Sequence, residues 1–137
     1  MRFVEKDRGT AYNLTIKGNT AWEGPQTDTR DETDVTTAGA GTLTAANLFT
    51  QKINRDPTGA DRTDTTATAA LIIAGSPGLP GDGDSFQCWY RNTADADEVA
   101  LLAGGTGVTV RGDAQVHPGE QVLLSFIRDS STTVSLY

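Results

Sequence analysis

Sulfur and imidazole are nearly missing from this chain of 137 residues, which has one cysteine, one histidine and one methionine. One cysteine cannot form an intrachain disulfide, and a catalytic site needs a nucleophile with a base, a metal shell or paired carboxylates in a pocket. His117 stands in the turn His117-Pro118-Gly119, and Cys88 has no basic sequence neighbour to lower its pKa. The chain therefore reads as neither an enzyme nor a holder of metal or cofactor. Basic residues are also short, with 11 Lys and Arg against 18 Asp and Glu, a net charge of −7 and a pI near 4.5. That balance excludes a phosphate-backbone binder, which needs clustered cations, so nucleic acid is not an expected partner. The start, Met1-Arg2-Phe3-Val4-Glu5-Lys6, lacks the apolar run of a signal peptide or membrane span, so synthesis in the cytoplasm and no membrane partner are expected. Aromatics amount to only 7 % and hydrophobic residues to 36 %, enough for one lean core.

What is abundant is Thr, Gly and Ala, a composition suited to short strands joined by turns. The best strand is Ser85-Phe86-Gln87-Cys88-Trp89-Tyr90-Arg91, with Phe86, Cys88 and Tyr90 on one face and Gln87, Trp89 and Arg91 on the other. Ahead of it, Ala67, Ala70, Leu71 and Ala74 recur at the spacing of one helix face, predicting a short helix from Thr66 to Ala74. Thr63, Asp64 and Thr65 are the expected N-terminal caps, and Gly75 the left-handed stop. Thr44 can cap a single helical turn leading to Leu48 and Phe49, and Lys52–Arg55 reads as a brief strand. Asp56-Pro57-Thr58-Gly59 has the residue order of a type I turn. Further strands are expected at 98–102, 108–110, 121–128 and 132–137, with 121–128 apolar enough to be central and covered on both sides. This spacing predicts an all-β fold: an antiparallel β-sandwich or jelly-roll over residues 42–137, with one short helix.

Residues 1–41 read differently. Ala11–Ile16 alternates Tyr12, Leu14 and Ile16 as a strand would, whereas 20–41 is rich in Thr, Asp, Glu and Gly and too poor in apolar groups to order itself. An N-terminal arm or linker is expected, with Phe3, Tyr12, Leu14, Ile16 and Trp22 as contacts to a partner or a neighbouring subunit and strand addition as the contact mode. Acidic groups at Asp28/Asp31/Glu32/Asp34 and Asp95/Asp97/Glu98 lack the order of a calcium loop and read as solvated. Arg111-Gly112-Asp113 spells an adhesion tripeptide that a strand-end turn explains.

Several stretches carry a family resemblance: Gly41-Thr42-Leu43-Thr44-Ala45-Ala46-Asn47-Leu48, Arg55-Asp56-Pro57 with Arg62–Ala70, Gly83–Phe86, Arg91–Ala94 and Gly105–Thr109. Through them the chain resembles the capsid-decoration or cement proteins of tailed bacteriophages, although Ala67 stands where that family has a proline. The resemblance implies a structural virion protein that decorates and stabilises the outer capsid surface, with the major capsid protein as partner and a homo-oligomer, trimer before dimer, as the working form. Trp89 and Arg91, beside the Leu123/Ile127 face, are the expected contacts within the folded domain. The alternative is a carbohydrate- or receptor-binding β-sandwich module of head-fibre or tail-fibre type, in which Trp89 stacks on a sugar ring.

Overall fold

The computed structural model describes residues 31–75 and 78–137. The proposed contacts Phe3, Tyr12, Leu14, Ile16 and Trp22 lie outside the described residues. Within them the fold is mainly β, with ten strands and two short helices. A six-stranded sheet is built from β1 (Glu32–Val35), β3 (Lys52–Arg55), β5 (Ser85–Asn92), β9 (Gln121–Arg128), β10 (Val134–Leu136) and β7 (Val108–Val110), in that spatial order. A four-stranded sheet is built from β2 (Thr42–Leu43), β4 (Arg62–Thr66), β6 (Ala100–Ala103) and β8 (Gln115–Val116).

From β1 to β6 the chain alternates between the two sheets, so each strand lies parallel to the one laid down two elements earlier. Lys52 to Arg55 run in register with Glu32 to Val35 on one side and Trp89 to Asn92 on the other. Five of the eight strand pairings are parallel, which corrects the expectation of a mainly antiparallel fold. The reason is geometric: a hairpin can only join antiparallel neighbours, whereas a chain that crosses to the other sheet and back can return in the same direction, as it does from β1 to β6, although β8 returns antiparallel to β6. Only β9 and β10 follow each other within one sheet, and they are antiparallel.

Helix positions also differ from the expected ones. The capping turn at Thr44 is present as α1 (Ala45–Leu48), where Thr44 and Asn47 cap each other reciprocally. The second helix, α2, spans Ala69–Ala74 and is capped by Thr68, so it starts later than Thr66. Thr63, Asp64 and Thr65 belong to β4 instead, because Asp64 and Thr66 face inward and are buried. Gly75 is extended, and the left-handed glycine after the helix is Gly78.

One core draws on buried side chains of both sheets. Leu43, Leu102 and Val116 from the small sheet join Ile53, Tyr90, Phe126, Val134 and Leu136 from the large one, and Ile72 of α2 closes an end. Phe86 stacks on Phe126 with ring centroids 4.9 Å apart and packs on Phe49 at 4.7 Å, so three of the few aromatics form one ladder. As predicted, Cys88 and Tyr90 are on the buried face of β5. The expectation that 121–128 is covered on both sides fails: Leu124 and Phe126 are buried, while Leu123 on the opposite face is 40 % exposed.

Residues 32–41, expected within the linker, are part of this domain through the β1–β3 ladder and the hydrogen bond from Gly41 N to Asp64. The 56–59 segment is not a type I turn either. Thr58 has φ of 52° and Gly59 has φ of 79°, with the Thr58 amide donating to Asp56 Oδ1. A β-branched residue in the left-handed region is strained by roughly 1–2 kcal/mol. Thr58→Asn, which tolerates that region, is expected to raise stability by about 1 kcal/mol in urea denaturation, and an unchanged or lowered midpoint would contradict the assignment of strain.

Candidate binding face

The site begins from a buried ion pair that makes the scaffold rigid. Arg55 of β3 and Asp64 of β4 are both fully buried and join the two sheets through a 2.6 Å hydrogen bond from Arg55 Nε to Asp64 Oδ2. Tyr90 Oη donates to the same oxygen at 2.9 Å, and Gly41 N donates to Oδ1 at 2.8 Å. The rest of the guanidinium is occupied by the carbonyls of Thr37, Gly39 and Asp56 at 2.6–2.8 Å, with Val35 O at 3.3 Å. Such saturation is what a buried charge requires. Gly41 is glycine because a Cβ there would lie 2.7 Å from Asp64 Oδ1. Burial and then the adjacent Asp64 charge push the Tyr90 hydroxyl well above its ordinary pKa, so it remains a donor.

A second buried polar anchor fixes the loops at one end. Asn92 Nδ2 donates to the carbonyls of Glu98 and Val116, and Asn92 Oδ1 accepts from Ala94 N. Glu98 Oε1 accepts from Gly59 N at 2.5 Å, so the 56–61 loop is tied to the 93–99 loop.

On the outer face of the large sheet the parallel register sets side chains in rows. Glu32, Lys52 and Trp89 form one row; Asp34, Asn54 and Arg91 form the next. Thr36, Asp56 and Thr93 continue beyond the strand ends, and the depression enclosed by these last two rows with Glu32 and Lys52 has a volume of about 340 Å³. Lys52 Nζ pairs with Glu32 Oε1 at 3.1 Å, and Asn54 Nδ2 donates to both Glu32 and Asp34. The hydrogen bonds from Lys52 and then Asn54 hold Glu32 below the usual carboxylate range. Arg91 forms no ion pair among the described residues, and Asn54 Oδ1 is shut off from solvent without a hydrogen-bond partner.

Trp89 and Arg91 thus share one face, as predicted. Trp89 is half-buried, directly opposite Leu123 of β9, and Ile127 lies on the same side of β9 opposite Ser85. The remaining motifs are placed elsewhere. His117 is exposed in a turn closed by Glu120, Cys88 is buried with its thiol pushed up to about 12, and Arg111 and Asp113 are engaged with Ser135 and Gln115. Among the described residues no group of three or more His, Cys, Asp or Glu is placed to hold a metal ion, and no helix is long and apolar enough to cross a membrane.

Sequence reasoning missed Arg55, Asp64, Asn92 and the polar row at Asp34 and Asn54. Polar residues default to the outside in a pattern reading, and only the tight Arg55-Asp56-Pro57 and Arg62-Thr63-Asp64 stretches offered a signal. The row was hidden because its members lie 20 and 37 residues apart and meet only through parallel register. Comparison with family models, with curated proteins and with solved structures yields no match.

Proposed function

We propose that this chain is a structural, non-catalytic virion protein that decorates and stabilises the outer surface of a tailed-phage capsid. The observation that carries the reading is the outer face of the large sheet, where Trp89 and the exposed Leu123 sit side by side, with Ile127 along the same strand and Arg91 at the border. An aromatic, an aliphatic and an arginine over a rigid layer is the composition of an interface centre. The rigidity comes from the Arg55–Asp64–Tyr90 staple beneath it. In this reading the two sheets are the layers of a β-sandwich, made in the host cytoplasm and placed on the virion exterior. Capsid lattices carry local symmetry, so a homo-oligomer, a trimer before a dimer, is the proposed working form.

Residues 1–30 are the proposed attachment segment, with Phe3, Tyr12, Leu14, Ile16 and Trp22 as apolar anchors on the major capsid protein. Their removal should stop short of β1, because losing residues 32–41 would also strip Arg55 of its carbonyl partners. The test is co-sedimentation with assembled capsids that lack the protein. The full chain is expected to sediment with them, Leu123→Asp to bind at least about tenfold more weakly, and the 1–30 deletion to remain folded but bind poorly. A full chain left in the supernatant, or variants that bind like the parent, would refute the reading.

A further inference from the structure

We propose that the depression bordered by Asp34, Asp56 and Arg91 is a binding site for one pyranose ring of a neutral glycan, with the Trp89 indole as its flanking surface. The site shares Trp89 and Arg91 with the proposed capsid contact, so it is open to a glycan in the free protein, and its test uses the free chain.

Four observations carry it. First, the hydrogen-bonding capacity is mixed and largely unspent. Arg91 is exposed and free of ion pairs among the described residues, Asp34 Oδ1 is engaged by Asn54, and Asp56 Oδ1 by Thr58 N, so each carboxylate keeps its other oxygen. A sugar hydroxyl both donates and accepts, so it can meet guanidinium and carboxylate in one site. Second, the charges nearly balance. With Glu32 paired to Lys52, an incoming anion meets Asp34 and Asp56, and an incoming cation meets Arg91.

Third, Asn54 lines the depression, and its Oδ1 is shut off from solvent with no hydrogen-bond partner among the described residues. A buried acceptor without a partner costs about 1–3 kcal/mol, and a ligand hydroxyl that reaches it on side-chain adjustment would remove that cost. Fourth, Trp89 lies two residues before Arg91 on the same face of β5, so its ring begins roughly 7 Å along the strand from the guanidinium row. That separation lets the apolar face of a pyranose pack on indole while its hydroxyls reach the polar row. The strand spacing of about 4.8 Å also places Asp34, Asn54 and Arg91 as three planar groups within the span of one sugar.

The test uses the full chain, labelled with nitrogen-15 and titrated with three neutral probes: methyl β-glucopyranoside, methyl β-galactopyranoside and methyl N-acetyl-β-glucosaminide. For at least one probe, saturable shifts are expected at the Asn54 side-chain amide, the Arg91 and Thr93 amides and the Trp89 indole, with Kd in the millimolar range. Arg91→Ala and Trp89→Ala should each weaken that probe about tenfold or more, and Thr132→Ala, in the exposed turn beyond the opposite end of β9 from the Arg91 partner Gln121, should leave it unchanged. Arg91 is exposed, so its variant keeps the test decisive if Trp89→Ala fails to fold. The proposal is overturned by no shifts at these positions with any probe, by shifts confined elsewhere, or by binding that survives Arg91→Ala. Equal shifts with acetate or methylammonium would overturn the assignment of a neutral sugar.

Discussion

Asp64→Ala should destabilise the protein by about 4 kcal/mol, read from the urea midpoint, because removing one partner of a buried ion pair strands the other in a low-dielectric interior. Here the loss is compounded. Asp64 accepts from Arg55 Nε, Tyr90 Oη and Gly41 N, so its removal leaves a buried cation, a buried hydroxyl and a buried amide unmatched together. Arg55→Lys should be nearly as damaging. An ammonium is a point donor, and it cannot reproduce the planar fork that reaches Asp64 on one side and the carbonyls of Thr37 and Gly39 on the other. A double replacement, Arg55→Met with Asp64→Leu, should recover only part of the loss, since the 36–41 loop would still lack its donor. Full recovery would show that the pair acts by charge alone and that the loop does not depend on it.

The second large effect is expected in alkali. Burial raises the Cys88 thiol from 9.0 to about 12, and burial with the Asp64 charge raises Tyr90 above its ordinary 10.0. Both are acids whose folded-state pKa lies above the unfolded value, so their stabilising contribution is complete below pH 9 and is lost as pH rises. Between pH 9 and 12 the unfolded chain has released the Cys88 proton while the folded chain keeps it, costing about 1.4 kcal/mol per pH unit. Tyr90 adds a similar slope above pH 10, because its hydroxyl must still donate to Asp64 in the folded state. Urea midpoints should therefore be level from neutral pH to about 9 and fall increasingly steeply beyond it. In Cys88→Ala the decline should begin about one pH unit later, after a modest constant loss from the small cavity. A midpoint that stays level through pH 11 would exclude this burial-linked titration.

Much of the local structure was legible because apolar and turn residues carry it. Thr44 and Asn47 spell their cap, Lys52–Arg55 is the strand expected, and the alternation in Ser85–Arg91 separates the buried Cys88 and Tyr90 from Trp89 and Arg91. The reading broke down where inward positions are polar. In β4 the buried side chains are Asp64 and Thr66, so a hydrophobic pattern finds no strand there and assigns those residues to the cap of the next helix. Strand direction was not legible at all. Whether Lys52 lies beside Glu32 or beside some later residue depends on where the chain goes in between, and no local period encodes that. The same limitation hid the candidate site: Trp89 and Arg91 were visible as an outward pair, but Asp34 and Asn54 become their companions only through the ladder.

The acidity of β1 bears on self-association. It is the terminal strand of its sheet among the described residues, and its outward-facing side chains are Glu32 and Asp34. Exposed sheet edges invite edge-to-edge pairing between copies, and two such strands meeting about a two-fold axis would bring carboxylates against carboxylates at cross-strand distance. Lys52 and Asn54 quiet that charge within one copy but leave nothing for a second copy's carboxylates to engage. The edge therefore resists indefinite stacking of copies into fibrils.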